Sequence, residues 1–111
     1  MDTATDLRAA IESVFAEWEK LPYIGNGWRV SALLDRVRDQ YALLDVDFTN
    51  DKFHSRTLAH LEIRDGKIWI LTDNTEQGIA TELVALGVPK DKIVLAFYPP
   101  AVREMGEFAV A

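Results

Sequence analysis

Apolar residues recur at three- and four-residue spacing over residues 5–21, which puts Leu7, Ile11, Val14, Phe15, Trp18 and Leu21 on one side of a predicted helix. Thr3 and Asp6 resemble a capping box with Asp in place of Glu. Pro22 ends the helix, and Gly25-Asn26-Gly27 marks a turn. The period then changes. Strands are predicted at 28–34, where the pattern is weak, and at 40–48, 53–63 and 67–72. A polar turn around 35–39, then Thr49-Asn50-Asp51-Lys52, then Asp65-Gly66 join them. Asp65-Gly66, set between Ile63 and Ile68, is a two-residue type I′ hairpin signal. A second helix is predicted over 75–86, with Ile79, Ala80, Leu83, Val84 and Leu86 as its buried stripe. Asp73 and Glu76 suit its start, Gly87 its C′ position, and Pro89 lies just beyond. Residues 93–98 lack alternation and read as a strand buried on both faces, stopped by Pro99-Pro100.

Hairpin geometry carries the reading to register. With Asp65-Gly66 as the loop, Ile63 faces Ile68 and His60 faces Leu71. With Asn50-Asp51 as the loop, Phe48 faces Phe53, Asp47 faces His54, Asp45 faces Arg56, and Tyr41 faces His60. Alternate residues point to opposite sides. One face then collects Leu44, Val46, Phe48, Phe53, Ala59, Leu61, Ile63, Ile68 and Ile70, a core for the first helix to cover. The other holds Tyr41, Leu43, Asp45, Asp47, His54, Arg56, Leu58, His60, Glu62, Trp69 and Leu71. The predicted fold is α+β: an N-terminal helix packed on an antiparallel meander, with a second helix and a buried strand on the C-terminal side.

At 111 residues the chain makes a single domain, 1–111, with enough apolar content (49%) for a core. The absence of Cys rules out disulfides and thiolate zinc sites. No apolar run approaches the roughly 20 residues of a membrane span, and the N-terminus lacks the features of a signal peptide. These features fit a cytoplasmic protein. Net charge is −6, from 18 acidic and 12 basic residues. Duplex DNA binding draws on a basic stripe. The densest basic stretch, Arg29 to Arg38, is interrupted by Asp35 and followed by Asp39. Direct tight DNA binding is therefore not expected, and a protein partner suits the charge better.

Two constellations are candidates for chemistry. Asp45, Asp47, His54 and Arg56 gather near a hairpin end, either as an acid–base or metal group or as solvated cross-strand ion pairs. Ion pairs are the stronger reading, because one His with two carboxylates lacks metal-motif spacing. His60, Trp69 and Tyr41 form either an interface patch or a small second core closed by the C-terminal tail. Gly78 reads as a packing glycine, since Asp73 and Glu76 would repel a phosphate there. No nucleotide-binding glycine motif, no G-x-S-x-G elbow and no ordered Ser/His/Asp set is present. The chain does not look like an enzyme, and no cofactor is implied. The alternative is a small ligand-binding domain or enzyme using His54, His60 and nearby carboxylates.

The C-terminal half adds a resemblance. Asp65-Gly66-Lys67-Ile68-Trp69-Ile70, Thr75-Glu76, Gly78-Ile79-Ala80, Glu82-Leu83-Val84, Pro89-Lys90, Ile93-Val94-Leu95-Ala96-Phe97, Pro99-Pro100, Val102-Arg103 and Glu107-Phe108-Ala109-Val110-Ala111 resemble the XisI-like family, the fdxN-element excision controlling factors of cyanobacteria. Asp47-Phe48 departs from the Gly-Trp expected there. The resemblance implies an accessory factor in the programmed excision of a DNA element. It further implies a protein partner, either a nuclease-like companion or a recombinase. The expected contact residues are Tyr41, His60, Trp69, Leu71, Arg103 and Phe108, and self-association through the mixed face or the tail is expected. Arg103 is expected to pair with a carboxylate such as Glu62 or Asp73.

Overall fold

The computed structural model describes residues 3–22 and 27–111, with side chains from Asp6 onward. The turn expected at Gly25-Asn26-Gly27 and the capping role of Thr3 fall largely outside the described residues. The first helix, α1 (Thr3–Glu19), lays Leu7, Ile11, Val14 and Phe15 into the core. Trp18 is partly buried against the same cluster, and Leu21, expected on that stripe, is 41% exposed beyond the helix end. Four strands follow in chain order: β1 (Arg29–Asp35), β2 (Gln40–Thr49), β3 (Lys52–Arg64) and β4 (Lys67–Asp73). They pair consecutively and antiparallel, so the meander forms as expected. Asn50 and Asp51 (φ 55° and 59°) and Asp65 and Gly66 (φ 53° and 73°) take the positive φ angles of type I′ turns.

The register departs from the simple hairpin reading at two places. Leu43 faces Ala59 while Leu44 faces Thr57, so Leu58 is an extra residue in β3. His60 faces Thr72 while Leu61 faces Ile70, so Leu71 is an extra residue in β4. A bulge of one residue exchanges the faces of a strand relative to its partner. Tyr41 therefore faces Leu61, not His60, and the core side of β2 carries Tyr41, Leu43 and Asp45. Leu44, Val46, Phe48 and Phe53, expected in the core, lie on the other side. Ala59, Leu61, Ile68 and Ile70 are buried as expected, and Ile63 packs against them. The first bulge also receives the chain leaving β4: Asn74 N–H donates to Leu58 O (2.7 Å) and Asn74 Nδ2 to Thr57 O (3.0 Å).

The second helix is shorter than predicted. α2 (Ile79–Ala85) starts four residues late because Asp73 holds a loop before it. The Asp73 carboxylate accepts from Thr75 N (2.9 Å), Thr75 Oγ1 (2.6 Å) and Ile79 N (2.7 Å). Gly78 sits at the cap with φ 88°, and a Cβ there would meet only ordinary contacts. Its role is backbone conformation, not close packing. Gly87 (φ 98°) closes the helix as expected, with Gly87 N–H on Val84 O and Val88 N–H on Leu83 O, a Schellman pair.

After a 3-10 turn (Lys90–Lys92), β5 (Ile93–Leu95) runs parallel to β4. It is half the predicted length, since the chain turns at Ala96–Tyr98 and leaves Phe97 and Tyr98 exposed. Pro100 then opens α3 (Pro100–Arg103). The tail returns to β5, with Ala109 N–H on Ile93 O at 2.9 Å and a parallel bridge between Val94 and Ala109. The sheet thus has order β1-β2-β3-β4-β5, with α1 covering one face.

Candidate interaction surface

The face turned away from α1 is the candidate site. Cross-strand partners share a face, so Leu33–Ala42, Val46–Ser55, Leu44–Thr57, Phe48–Phe53, Ala42–His60 and Gln40–Glu62 all present here. Trp69 joins them opposite Glu62. The end toward the β2–β3 hairpin tip is apolar, with Phe48 42% and Phe53 70% exposed, while Leu33, 56% exposed, lies on the rung of Ala42 and His60. The Phe48 and Phe53 rings meet at 5.0 Å, tilted by 60°, within the favourable range for an aromatic pair. Every residue from Lys52 to Thr57 is exposed, so the outer part of this hairpin stands clear of the body. An isolated two-stranded ribbon is marginally stable in water. An exposed apolar ribbon is therefore a feature that a partner would cover.

The other half is polar and tightly connected. His60 Nε2 lies 2.8 Å from Gln40 Oε1, and Gln40 Nε2 donates to Glu62 Oε2 at 2.7 Å. Arg64 pairs with Glu62 at 2.6 Å, and its guanidinium stands 4.2 Å from the Trp69 ring centroid. Trp69 Nε1 donates to Arg64 O at 3.2 Å. This chain of contacts fixes side chains that would otherwise lose rotamer freedom on binding, which lowers the cost of docking there. At the β5 end the face is closed. Val94, opposite Trp69, is fully buried, and the Arg103 guanidinium reaches to 5.9 Å from the Trp69 ring centroid.

The structure sorts the expected contact residues. His60 and Trp69 are brought together on this face, with the bulged Leu71 half-buried beside it. Tyr41 is not among them. It is fully buried on the α1 side, where its hydroxyl donates to Asp39 Oδ1 at 3.0 Å. Arg8 holds the same carboxylate at 2.6 and 2.9 Å, and this hydrogen-bonded pair keeps Asp39 below the ordinary carboxylate range. Burial, reinforced by Asp39, pushes the Tyr41 phenol up to about 12. Phe108 is half-buried against the core. Arg103 meets no carboxylate of Glu62 or Asp73. Its guanidinium donates to the carbonyls of Tyr98 (2.9 Å), Val110 (3.0 Å) and Ala96 (3.4 Å) and so ties the tail to the turn after β5.

The polar cluster at the hairpin separates into pairs. Asp45 is 5% exposed and takes Arg56 at 2.7 and 3.2 Å; this contact, with a hydrogen bond from Trp28, holds its carboxyl low. His54 faces Asp47 across the ladder, yet its Nε2 lies 3.3 Å from Thr49 O. Asp47 Oδ1 is enclosed without a hydrogen-bond partner among the described residues. No group of three His, Asp or Glu residues able to hold a metal occurs among the described residues. The bulge at Leu58 also places His54 and His60 on opposite faces of β3. Leu33, Phe48 and Phe53 are surface residues that sequence reasoning missed. A departure from plain alternation was the only signal for them, and a bulge leaves no residue-type signature at Leu58.

No helix among the described residues is long and apolar enough to cross a membrane. The family model for the XisI protein matches residues 1–110. Among curated proteins none matches the chain. A XisI-like protein from Anabaena variabilis, whose crystal structure is solved, is 27% identical over 97% of this chain and 99% of its own, with TM-score 0.86. The fdxN element excision controlling factor XisI from Anabaena variabilis is 31% identical over 99% of this chain and 100% of its own, with TM-score 0.80. With a family match over nearly its whole length and a shared fold at that identity, the chain belongs to the XisI family.

Proposed function

We propose that this chain is an accessory factor that controls programmed excision of a DNA element by binding a nuclease-like or recombinase protein through the uncovered sheet face. Family membership and the excision-controlling role named for the Anabaena variabilis relative support the excision context. The observation that carries the binding mode is the face itself. Exposed Leu33 adjoins a prearranged polar network around His60, Gln40, Glu62 and Arg64, and exposed Phe48 and Phe53 continue the same face toward the hairpin tip. Apolar anchors beside an ordered polar rim are the composition of a protein interface. A net charge of −6 favours a basic protein surface over DNA as the partner. In this reading the chain acts by binding and catalyses nothing itself.

The test is co-expression with the nuclease-like and recombinase proteins of the same genome, followed by co-purification. Wild-type chain should be retained, and Phe53→Asp with Leu33→Asp should lose retention while keeping its far-ultraviolet circular dichroism. A complex that survives both substitutions refutes the face. Submicromolar binding of duplex DNA by the isolated chain, steep in salt, refutes the mode.

A further inference from the structure

A sheet that does not close into a barrel has two edges, and the two edges here differ. The β5 edge is covered by the returning tail, through Ala109 N–H on Ile93 O and the Arg103 grip on Val110 O. Among the described residues the β1 edge has no strand beside it. β1 is seven residues long and contains neither Pro nor Lys, the residues that usually discourage edge pairing. Ala32 N–H donates to Glu19 Oε2 at 3.1 Å. It therefore points away from β2, and by alternation the backbone groups of Val30, Ala32 and Leu34 face outward. Leu34 lies on the helix side of the sheet, opposite Tyr41, yet remains 47% exposed for want of a neighbour.

We infer that β1 pairs antiparallel with β1 of a second copy of this chain, about a two-fold axis at Ala32, to make one continuous sheet. Self-complementarity selects this register. An axis at Ala32 sets Ala32 against its own equivalent and Val30 against Leu34 of the second copy, so the outward-facing residues form hydrogen-bonded pairs. It also sets Arg29 against Asp35 of the second copy at both ends, placing opposite charges across the ladder. Moving the axis by one residue either way breaks that match: Arg29 would then face Val37 or Leu33. The exposed Leu34 gains Val30 of the second copy as its missing neighbour. Glu19 holds the edge in the single chain and yields Ala32 N–H when the second copy arrives. An isologous contact of this kind closes on itself and does not propagate. It also keeps both uncovered faces on the same side of the joined sheet, so the partner-binding surface becomes double.

Sedimentation equilibrium over a concentration series tests this on the intact chain. Wild type should show a monomer–dimer equilibrium. Glu19→Ala should tighten it about threefold, through removal of a competitor for one backbone donor. Leu34→Lys should weaken it at least about tenfold by putting a charge against Val30 of the second copy. Because Leu34 is half-exposed, the circular dichroism and melting temperature of the dilute variant should match those of wild type. Hydrogen exchange should slow at Val30, Ala32 and Leu34 as concentration rises. A wild-type chain still monomeric at about 500 µM overturns the proposal. So does a dimer that Leu34→Lys leaves intact, or one that only Phe53→Asp disrupts.

Discussion

Replacing either Leu43 or Leu44 with Ala discriminates the bulged sheet from an unbroken one, because the two are sequence neighbours on opposite faces. In an unbroken ladder Leu44 faces the core and Leu43 faces solvent; with Leu58 bulged the assignment inverts, leaving Leu43 fully buried and Leu44 half-exposed. Removing the buried side chain forfeits about 2.4 kcal/mol of transfer free energy, at about 0.8 kcal/mol per carbon. The cavity left against Phe15, Leu61 and their neighbours raises the total to about 2–5 kcal/mol. At Leu44 no enclosed cavity forms, and the loss should stay below about 1 kcal/mol. Urea unfolding followed by tryptophan fluorescence measures both. With a slope of about 1–3 kcal/mol/M, Leu43→Ala should lower the midpoint by about 1–2 M and Leu44→Ala by a fraction of that. An equal or larger loss at Leu44 would refute the bulge and, with it, the identity of the uncovered face.

Four further outcomes are expected. Asp39 and Asp45 ionise below the ordinary range, so the unfolded chain binds more protons as pH falls; stability should be full above about pH 5 and decline below it, less steeply in Asp39→Asn. Tyr41→Phe should cost about 1–2 kcal/mol by deleting a buried donor to a charged acceptor, with the high-pH phenol titration near 12 lost from the spectrum. Gly78→Ala and Asp73→Ala should each destabilise by about 1–2 kcal/mol in thermal melts, the first by forcing a side chain into positive φ and the second by uncapping α2. Arg103→Ala and deletion of residues 107–111 should lower the melting temperature by similar amounts, since both release the tail from β5; unchanged melting would show that the tail contributes nothing.

The order of elements was legible in the sequence, because Asp65-Gly66 and Asn50-Asp51 specify tight turns by backbone chemistry alone. The buried faces of β4 and the far half of β3 followed, being counted outward from the Asp65-Gly66 loop. The faces of β2 did not follow. Counting from a hairpin loop assumes one residue per rung, and Leu58 breaks the count where nothing in its chemistry announces it. Tyr41 was misplaced for that reason, and the apolar half of the exposed face was mistaken for core. The start of α2 was misread for a different reason. Asp73 can cap a helix three residues on or fold a loop beneath one, and the positive φ of Gly78 selects the loop. The polar half of the face was legible in part: His60 and Trp69 were placed together, while the Gln40–Glu62–Arg64 connection depends on rotamers that sequence does not encode.

The placement of β5 has a consequence for synthesis. β1 to β4 are neighbours in the sheet in the order they leave the ribosome, and each hairpin closes in about 1–10 µs once its strands are out. β5 begins about twenty residues after β4 ends, roughly 1–4 s later at ordinary elongation rates. For that interval β4 is an unpaired edge presenting Ile68, Trp69 and Ile70, with neither β5 nor the tail yet available to cover it. The nascent chain therefore passes through a stage whose most apolar edge is the one the finished protein hides. A chain cut after residue 92, which keeps β4 and α2 but never gains β5, should therefore be less soluble than the intact chain.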